Sequence, residues 1–566
     1  MLLGLSLWTL CFYVYLSKQP VNYTYDGMVF ASRIENPQTP LYDLFHPHHL
    51  IYTFLGRLFY LWGTAHGATW DGMVALQFFD ILIGSLGILL AFHLLVRKTR
   101  DPVMATLTCL GLSFTFSYWY FSTSPGVRIF AAVTPLLTWY LLTYLKDQKP
   151  LFAIVIGLAH ALAVLGHQTN LLLIPAFLGG IACIREYSFT QRFRASIYYL
   201  LTLTAGVLTA YAFVGRFIYM HKTFESWIYW VFAYFHVQQW GGYQSAAGFE
   251  QGKFAMVQAF LAKSHPYDEL ASPFTFEFVQ NLFVNTIFVL MAFLLIRFKL
   301  FWQNYRQTMW VGVCWVGAFV PFFLWWEPWN IEFWVSSTIP CWLLIGVTAS
   351  ALSQRWTNPV LHVANRGLVI LAGVGLITLL YLYNFHASVR QTAVLRSPKP
   401  LMEAVDWKVR KDDLLILTGV NTVPFYIDRY QKRNYLNLHA FLKKYEPKKE
   451  KVKPAKKASS AAPPDPWTDL NSLMEKTWKR HRKIWALDEV VNENNEWNMK
   501  FEGFSKLPRG IVSRFFQQYP LKPIAYHGKV YYYEVQKPIP TPTPVLETTL
   551  EVMPPPIEKK KFGKRK

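Results

Sequence analysis

The run "GMVALQFFDILIGSLGILLAFHLLV", residues 72–96, contains one acid, Asp80, and is followed at once by Arg97, Lys98 and Arg100. It is long enough to cross a bilayer as a helix, which takes about 20 apolar residues because lipid offers backbone groups no partners. Comparable runs stand at 1–17, 102–121, 129–145, 150–166, 169–184, 196–219, 279–298, 308–326, 333–352 and 367–385. The expected architecture over residues 1–385 is therefore an all-α polytopic membrane domain of about 11 transmembrane helices. The first run has no preceding Lys or Arg and no clear small-residue cleavage site, so it reads as a retained span and not as a removed signal peptide.

Composition agrees. Of 566 residues 53% are hydrophobic and 16% charged, against about 25% charged in soluble domains. A net charge of +22 in a soluble chain would suggest nucleic acid. Here the surplus lies in short loops and in Lys-rich stretches near 443–457 and 559–566, so no nucleic-acid partner is expected. Alternate loops carry Arg97, Lys98 and Arg100; Lys146 and Lys149; Arg185, Arg192 and Arg194; Arg297, Lys299 and Arg306; and Arg355 and Arg366. The positive-inside rule makes these cytoplasmic. The opposite loops, including 18–71 and 220–278, then face the periplasm, with the chain in a bacterial inner membrane, and the odd span count puts everything after residue 386 there too. Cys11, Cys109, Cys183, Cys314 and Cys341 all lie in apolar runs and read as packing residues.

Residues 386–540 read as a small extracytoplasmic α/β domain, with "DLLILTG" and "KIWALDE" as buried strands. "PFYIDRYQK" and "WTDLNSLMEKTWKRHRK" read as amphipathic helices, and "PIAYHGKVYYYEV" as a hairpin turning at His527 and Gly528. The insert at about 446–465 and the Pro/Lys-rich tail 541–566 are too polar to pack and read as disordered.

The chemistry concentrates in the first outer loop, 18–71. If residues 24–35 are helical, Asp26 and Arg33 share a face, which leaves Asp26 either held by Arg33 or free to react, while Glu35 lies roughly opposite. Pro47 suits the first turn of a helix running to about Trp62, with His46 at its cap. His49, Thr53, Gly56 and Tyr60 then form one polar stripe, lining a wet cavity or turned to water at the interface. In the long outer loop "FESWIYWVFAYFHVQQWGGYQ" offers aromatic faces for sugar rings or serves as an interfacial belt.

"TYDGMVFASRIE", then "FHPHHLIYTFLGRLFYLWG" and a long apolar span, resembles the first outer loop of the GT-C superfamily of membrane glycosyltransferases. Nearest are protein O-mannosyltransferase-like members, with an early acid, a His-Pro pair and an "lG.lf" pattern. "LAVLGHQTNLLLIPAF" and "WEPWNIEFWVSSTIP" are similar to later segments of those enzymes, and the resemblance covers most of residues 1–385. Two departures stand out: His48 and His49 replace the relatives' second proline and glycine, and the Asp-Glu doublet of some mannosyltransferases is missing. The resemblance implies a donor sugar on a polyprenyl phosphate in the bilayer and an acceptor arriving from the outer face.

Phosphate is a good leaving group, so one carboxylate suffices to take the proton of the acceptor hydroxyl as it attacks the anomeric carbon, with inversion. Asp26 is the expected base, and partial burial would strengthen it. Substrate contact is expected of Arg33, Glu35, His46, His48, His49, Arg128, His167, Gln168 and Glu327. Arg128 is the cation of a short outer loop, where it either takes the lipid phosphate or snorkels to headgroups; His167 is otherwise satisfied by Gln168 or Asn170, and Glu327 otherwise anchors its loop. No metal or other cofactor is assigned; the histidines with Asp26 and Glu35 would make a divalent-metal site, but without a known ligand spacing. Asp80 is either functional or a structural partner of a neighbouring span, for example near His160. The contrasting reading is a transporter or flippase of a lipid-linked or anionic substrate, in which Asp26, Asp80 and the histidines relay protons.

Overall fold

The computed structural model describes residues 2–18, 24–232, 246–262, 276–353, 359–385, 398–419, 423–445, 465–495, 498–499, 501–502, 505, 507–526 and 529–538. The chain divides into two compact units, Met1–Pro400 and Leu401–Lys566.

In the first unit, six helices among the described residues are long and apolar enough to cross a membrane: Gly72–Thr99, Val127–Asp147, Phe189–Ile218, Phe301–Trp326, Ile331–Ser353 and Val360–Phe385. Leu2–Ser17, Pro102–Ser113, Pro150–Gly166 and Gln168–Ala182 are shorter apolar helices. The expected span 102–121 is two helices, Pro102–Ser113 and Phe116–Thr123. Ser113 and Thr115 at the break turn their hydroxyls back onto the carbonyls of Leu110 and Gly111. The carbonyls freed there are taken by buried side chains, Tyr15 Oη on Ser113 and Asn384 Nδ2 on Phe114. That satisfaction is what permits a broken helix inside an apolar unit.

The helices enclose one apolar core in which Trp119, Trp139, Trp315 and Trp334 are fully buried. Outward faces are equally apolar: Leu201, Val363 and Leu371 are 64%, 70% and 70% exposed. Side chains of this kind suit contact with lipid, not water.

The first outer loop departs from expectation in one element. Tyr25–Glu35 is helical, capped by Thr24, as its sequence implies. The second helix, however, runs Tyr52–Ala65 and not from Pro47. His46 and His49 instead close a tight turn, His49 N donating to His46 O at 3.1 Å. Tertiary partners take two carbonyls that a helix would have used, Tyr211 Oη bonding Pro47 O and Gln168 N bonding His48 O at 2.9 Å, while Tyr219 Oη ties down the preceding Phe45 O at 2.6 Å. His49 therefore drops out of the expected polar stripe, and the rest of it does not line a wet cavity at Thr53 and Gly56. Thr53 is buried, and a Cβ on Gly56 would meet Leu76 at 2.7 Å, so that face packs on Gly72–Thr99.

The second unit is a five-stranded mixed sheet of order β2-β1-β3-β5-β4: β1 Leu414–Leu417, β2 Tyr435–Asn437, β3 Ile484–Leu487, β4 Leu521–Tyr526 and β5 Lys529–Val535. β1 runs parallel to β2 and β3, and β5 runs antiparallel to β3 and β4. Ile416, Ile484 and Ala486 meet Leu470 and Met474 of the helix Pro466–Lys479 in a core separate from that of the first unit. "DLLILTG" and "KIWALDE" are β1 and β3, and Tyr526 pairs with Lys529 across the expected hairpin. Its turn residues His527 and Gly528 lie outside the described residues, as do the tail and, apart from Asp465, the insert.

Candidate functional site

The site is built where the helix Tyr25–Glu35 meets the loop before Val127–Leu142. Thr24 Oγ1 accepts the Gly27 N–H at 3.0 Å and donates to Pro125 O at 3.2 Å, so one hydroxyl both caps the helix and ties it to the loop. A Cβ on Gly27 would lie 2.3 Å from Pro125 O, so only glycine allows that approach. From beneath, Gly126 N donates to Asp80 Oδ2 at 3.0 Å and to Tyr52 Oη at 3.1 Å, while Tyr52 Oη donates to the same carboxyl oxygen at 2.9 Å. Asp80 and Tyr52 have no solvent exposure. Asp80 is thus an anchor for the loop that presents Arg128. Its partner is not His160, which bonds Tyr199 Oη and Asn170 O.

Arg128, on the first turn after the loop, points back across it. Its Nε and Nη2 reach Glu332 Oε2 at 3.1 and 3.0 Å, its Nη1 lies 3.3 Å from His167 Nε2, and its guanidinium covers the Phe333 ring at 4.4 Å. Thr24, Asp26, Phe121, Pro125, Gly126, Val127, Arg128 and Glu332 line a small, partly open cleft with a cavity volume of about 10 Å³. Asp26 stands at that mouth and is exposed. The expected partial burial of Asp26 is therefore not supplied by the described residues.

The neighbouring histidines are neutral. His46 stacks on His49 with centroids 4.4 Å apart, and His48 meets His167 edge-on at 6.4 Å. Burial, reinforced by the Arg33 charge, holds His46 at about 4. Burial, with repulsion from His46 when it is protonated and from the Arg128 charge, holds His48 at about 3. Burial likewise pushes His49 well below the ordinary histidine range. His167 Nδ1 pairs with Thr169 Oγ1 at 2.8 Å, so its partners are Thr169 and Arg128 and neither Gln168 nor Asn170.

The structure gathers Asp26, Arg128 and His167 with the histidine turn, and directs the other expected contacts elsewhere. Glu35 accepts the Gly72 N–H at 3.0 Å and supports the start of the next helix. The Arg33 charge acts on His46, and among the described residues no Arg33–Asp26 ion pair forms, so of the two alternatives Asp26 is the one not held by Arg33. Gln168 bonds Val231 O at 3.1 Å and braces the loop. Glu327 is buried with Asn330 Nδ2 at 3.1 Å, its carboxyl raised above the usual range by burial, and it does not line the cleft. Two residues escaped the sequence. Glu332, five positions beyond Glu327 in the same quoted motif, is the acid that meets Arg128. Arg57 Nη1 caps the end of the first-loop helix, bonding Ile34 O at 2.6 Å and Asn36 O at 2.9 Å. Among the described residues no three His, Cys, Asp or Glu side chains converge as a metal-binding group. His236, Gln238 and Gln239 of the aromatic loop lie outside the described residues.

No protein-family model matches the chain, and no curated protein matches it in sequence. Solved structures do. ArnT from Cupriavidus metallidurans bound to undecaprenyl phosphate is similar at a TM-score of 0.52 and 11% identity, over 94% of this chain and 97% of that one. The apo state of the same protein gives 0.49 at 10% identity over the same shares. The Archaeoglobus fulgidus oligosaccharyltransferase tethered with an acceptor peptide gives 0.46 at 12% identity, over 94% of this chain and 74% of that one. The fold is the GT-C-like one: a mostly helical membrane-type unit with a small C-terminal α/β sheet domain.

Proposed function

We propose that the chain is an integral-membrane glycosyltransferase that moves a sugar from a polyprenyl-phosphate donor to an acceptor hydroxyl on the extracytoplasmic side. The observation that carries this reading is the single cleft holding a carboxylate, Asp26, and a guanidinium, Arg128. Asp26 takes the proton of the acceptor hydroxyl, whose oxygen bonds the anomeric carbon as the bond to the phosphate oxygen breaks. One displacement inverts that centre. The bonding pair leaves on the polyprenyl phosphate, and Arg128 holds the charge that develops. Because Asp26 stands at the cleft mouth, donor and acceptor supply the dry surroundings in which it works. The likeness to ArnT, whose structure contains undecaprenyl phosphate, supports a lipid-phosphate donor.

The acceptor, a protein, lipid or polysaccharide, approaches from the periplasm of a bacterial inner membrane, and the C-terminal domain, on that side, is its recognition module. The mechanism invokes no metal. A transporter would use Asp80 as a relay, whereas Asp80 is bonded into the loop scaffold. The test is to give the purified protein in lipid nanodiscs labelled polyprenyl-phosphate sugars: the reading requires release of free polyprenyl phosphate, and movement of intact donor without cleavage would refute it.

A further inference from the structure

The guanidinium of Arg128 is already engaged. Nε and Nη2 share one Glu332 oxygen at 3.1 and 3.0 Å, Nη1 faces His167 at 3.3 Å, and Phe333 lies beneath. A phosphate entering the cleft finds its cation paired with an anion of the chain itself. That anion is able to leave. The Glu332 side chain is 27% exposed and lines the cleft, and among the described residues its carboxylate bonds only to Arg128. Its backbone is held separately, Glu332 N donating to Asn330 Oδ1 at 3.1 Å, so the carboxylate can swing without disturbing the helix start. Asp26 lines the same cleft, so a phosphate held there beside two undisplaced carboxylates would face uncompensated negative charge.

Resting on the reading of Arg128 as the lipid-phosphate site, we propose that Glu332 is an internal competitor for it. Lipid phosphate binds by exchanging with the Glu332 carboxylate, and the return of that carboxylate expels the product. The exchange makes and breaks ion pairs only. Its use follows from charge: the donor is a phosphodiester with one negative charge, whereas the product is a phosphomonoester carrying nearly two around neutral pH. The product would otherwise hold Arg128 more tightly than the donor does, and turnover would stall on it. Glu332 lowers the affinity of both phosphates by the same exchange cost, which keeps the product from being held so tightly that turnover stalls.

The experiment measures binding of polyprenyl phosphate, and of uncharged polyprenol as control, to the full chain in nanodiscs. Glu332→Gln should tighten polyprenyl phosphate roughly three- to tenfold, the scale of one largely buried charge-assisted pair. It should leave polyprenol unchanged and deepen product inhibition. Glu332→Ala should act in the same direction, and it answers the question if the glutamine amide still engages Arg128 or if that variant folds poorly. Should both variants bind polyprenyl phosphate no better than wild type while Arg128→Gln weakens it, Glu332 is a strut for Arg128 and the exchange is wrong. Should Arg128→Gln leave polyprenyl phosphate binding intact, the phosphate site itself is misassigned.

Discussion

At the scale of single residues, the site depends on a chain of hydrogen bonds that runs from the core to the cleft. Asp80 has no exposure and holds Tyr52 and the Gly126 amide, which in turn fixes where Arg128 starts. Asp80→Ala should cost about 1–3 kcal/mol, because Tyr52 Oη is left buried without its acceptor. Asp80→Asn keeps an acceptor and should cost less in thermal melts, with turnover largely retained. A proton relay would predict the opposite, equal loss of function in both variants. The residue chemistry was only partly legible. Asp26 and Arg128 stood out as charges in outer segments, and they do share a cleft. Glu332 did not stand out, because it opens an apolar helix and its significance comes from Arg128, 204 positions away in the chain. Arg33 and Asp26 misled for a related reason: shared helical phase gives neighbouring faces but does not choose the partner.

At the scale of elements, the decisive object is the junction between the first-loop helix and the loop before Val127. Gly27→Ala would set a methyl 2.3 Å from Pro125 O and force the two apart. The expected cost is about 1–3 kcal/mol, with loss of turnover beyond what the drop in melting temperature explains. The histidine turn makes a second element-scale prediction. His46 and His48 are held at about 4 and about 3 in the fold against 6.5 ordinarily, chiefly by burial. The unfolded chain therefore takes up protons first, so the stability of this turn is full above pH 6.5 and is lost as pH falls toward about 4 for His46 and about 3 for His48. Thermal melts of wild type and His48→Asn should diverge at neutral pH and converge on acidification; parallel curves would contradict it. The helix expected from Pro47 does not form because local propensity is outcompeted: Tyr211 and Gln168, distant in sequence, claim the Pro47 and His48 carbonyls that helix needed.

At the scale of the whole molecule, apolar runs marked the membrane unit because bilayer thickness fixes their length, whereas breaks inside them, such as Phe114–Thr115, depend on Tyr15 and Asn384 arriving from elsewhere. The sheet was legible in its buried strands β1 and β3 and in its hairpin, but not in β2, three half-buried residues placed by pairing with β1. Separate cores imply separate folding, so Leu401–Lys566 expressed alone should be soluble and unfold cooperatively. The central claim joins one carboxylate and one cation in a single reaction, and its most direct test is single-turnover kinetics of Asp26→Asn with labelled polyprenyl-phosphate sugar. The account predicts release of polyprenyl phosphate slowed by about 10²- to 10⁴-fold with donor affinity unchanged. Release at the wild-type rate, or loss of donor binding in proportion to loss of rate, would contradict it.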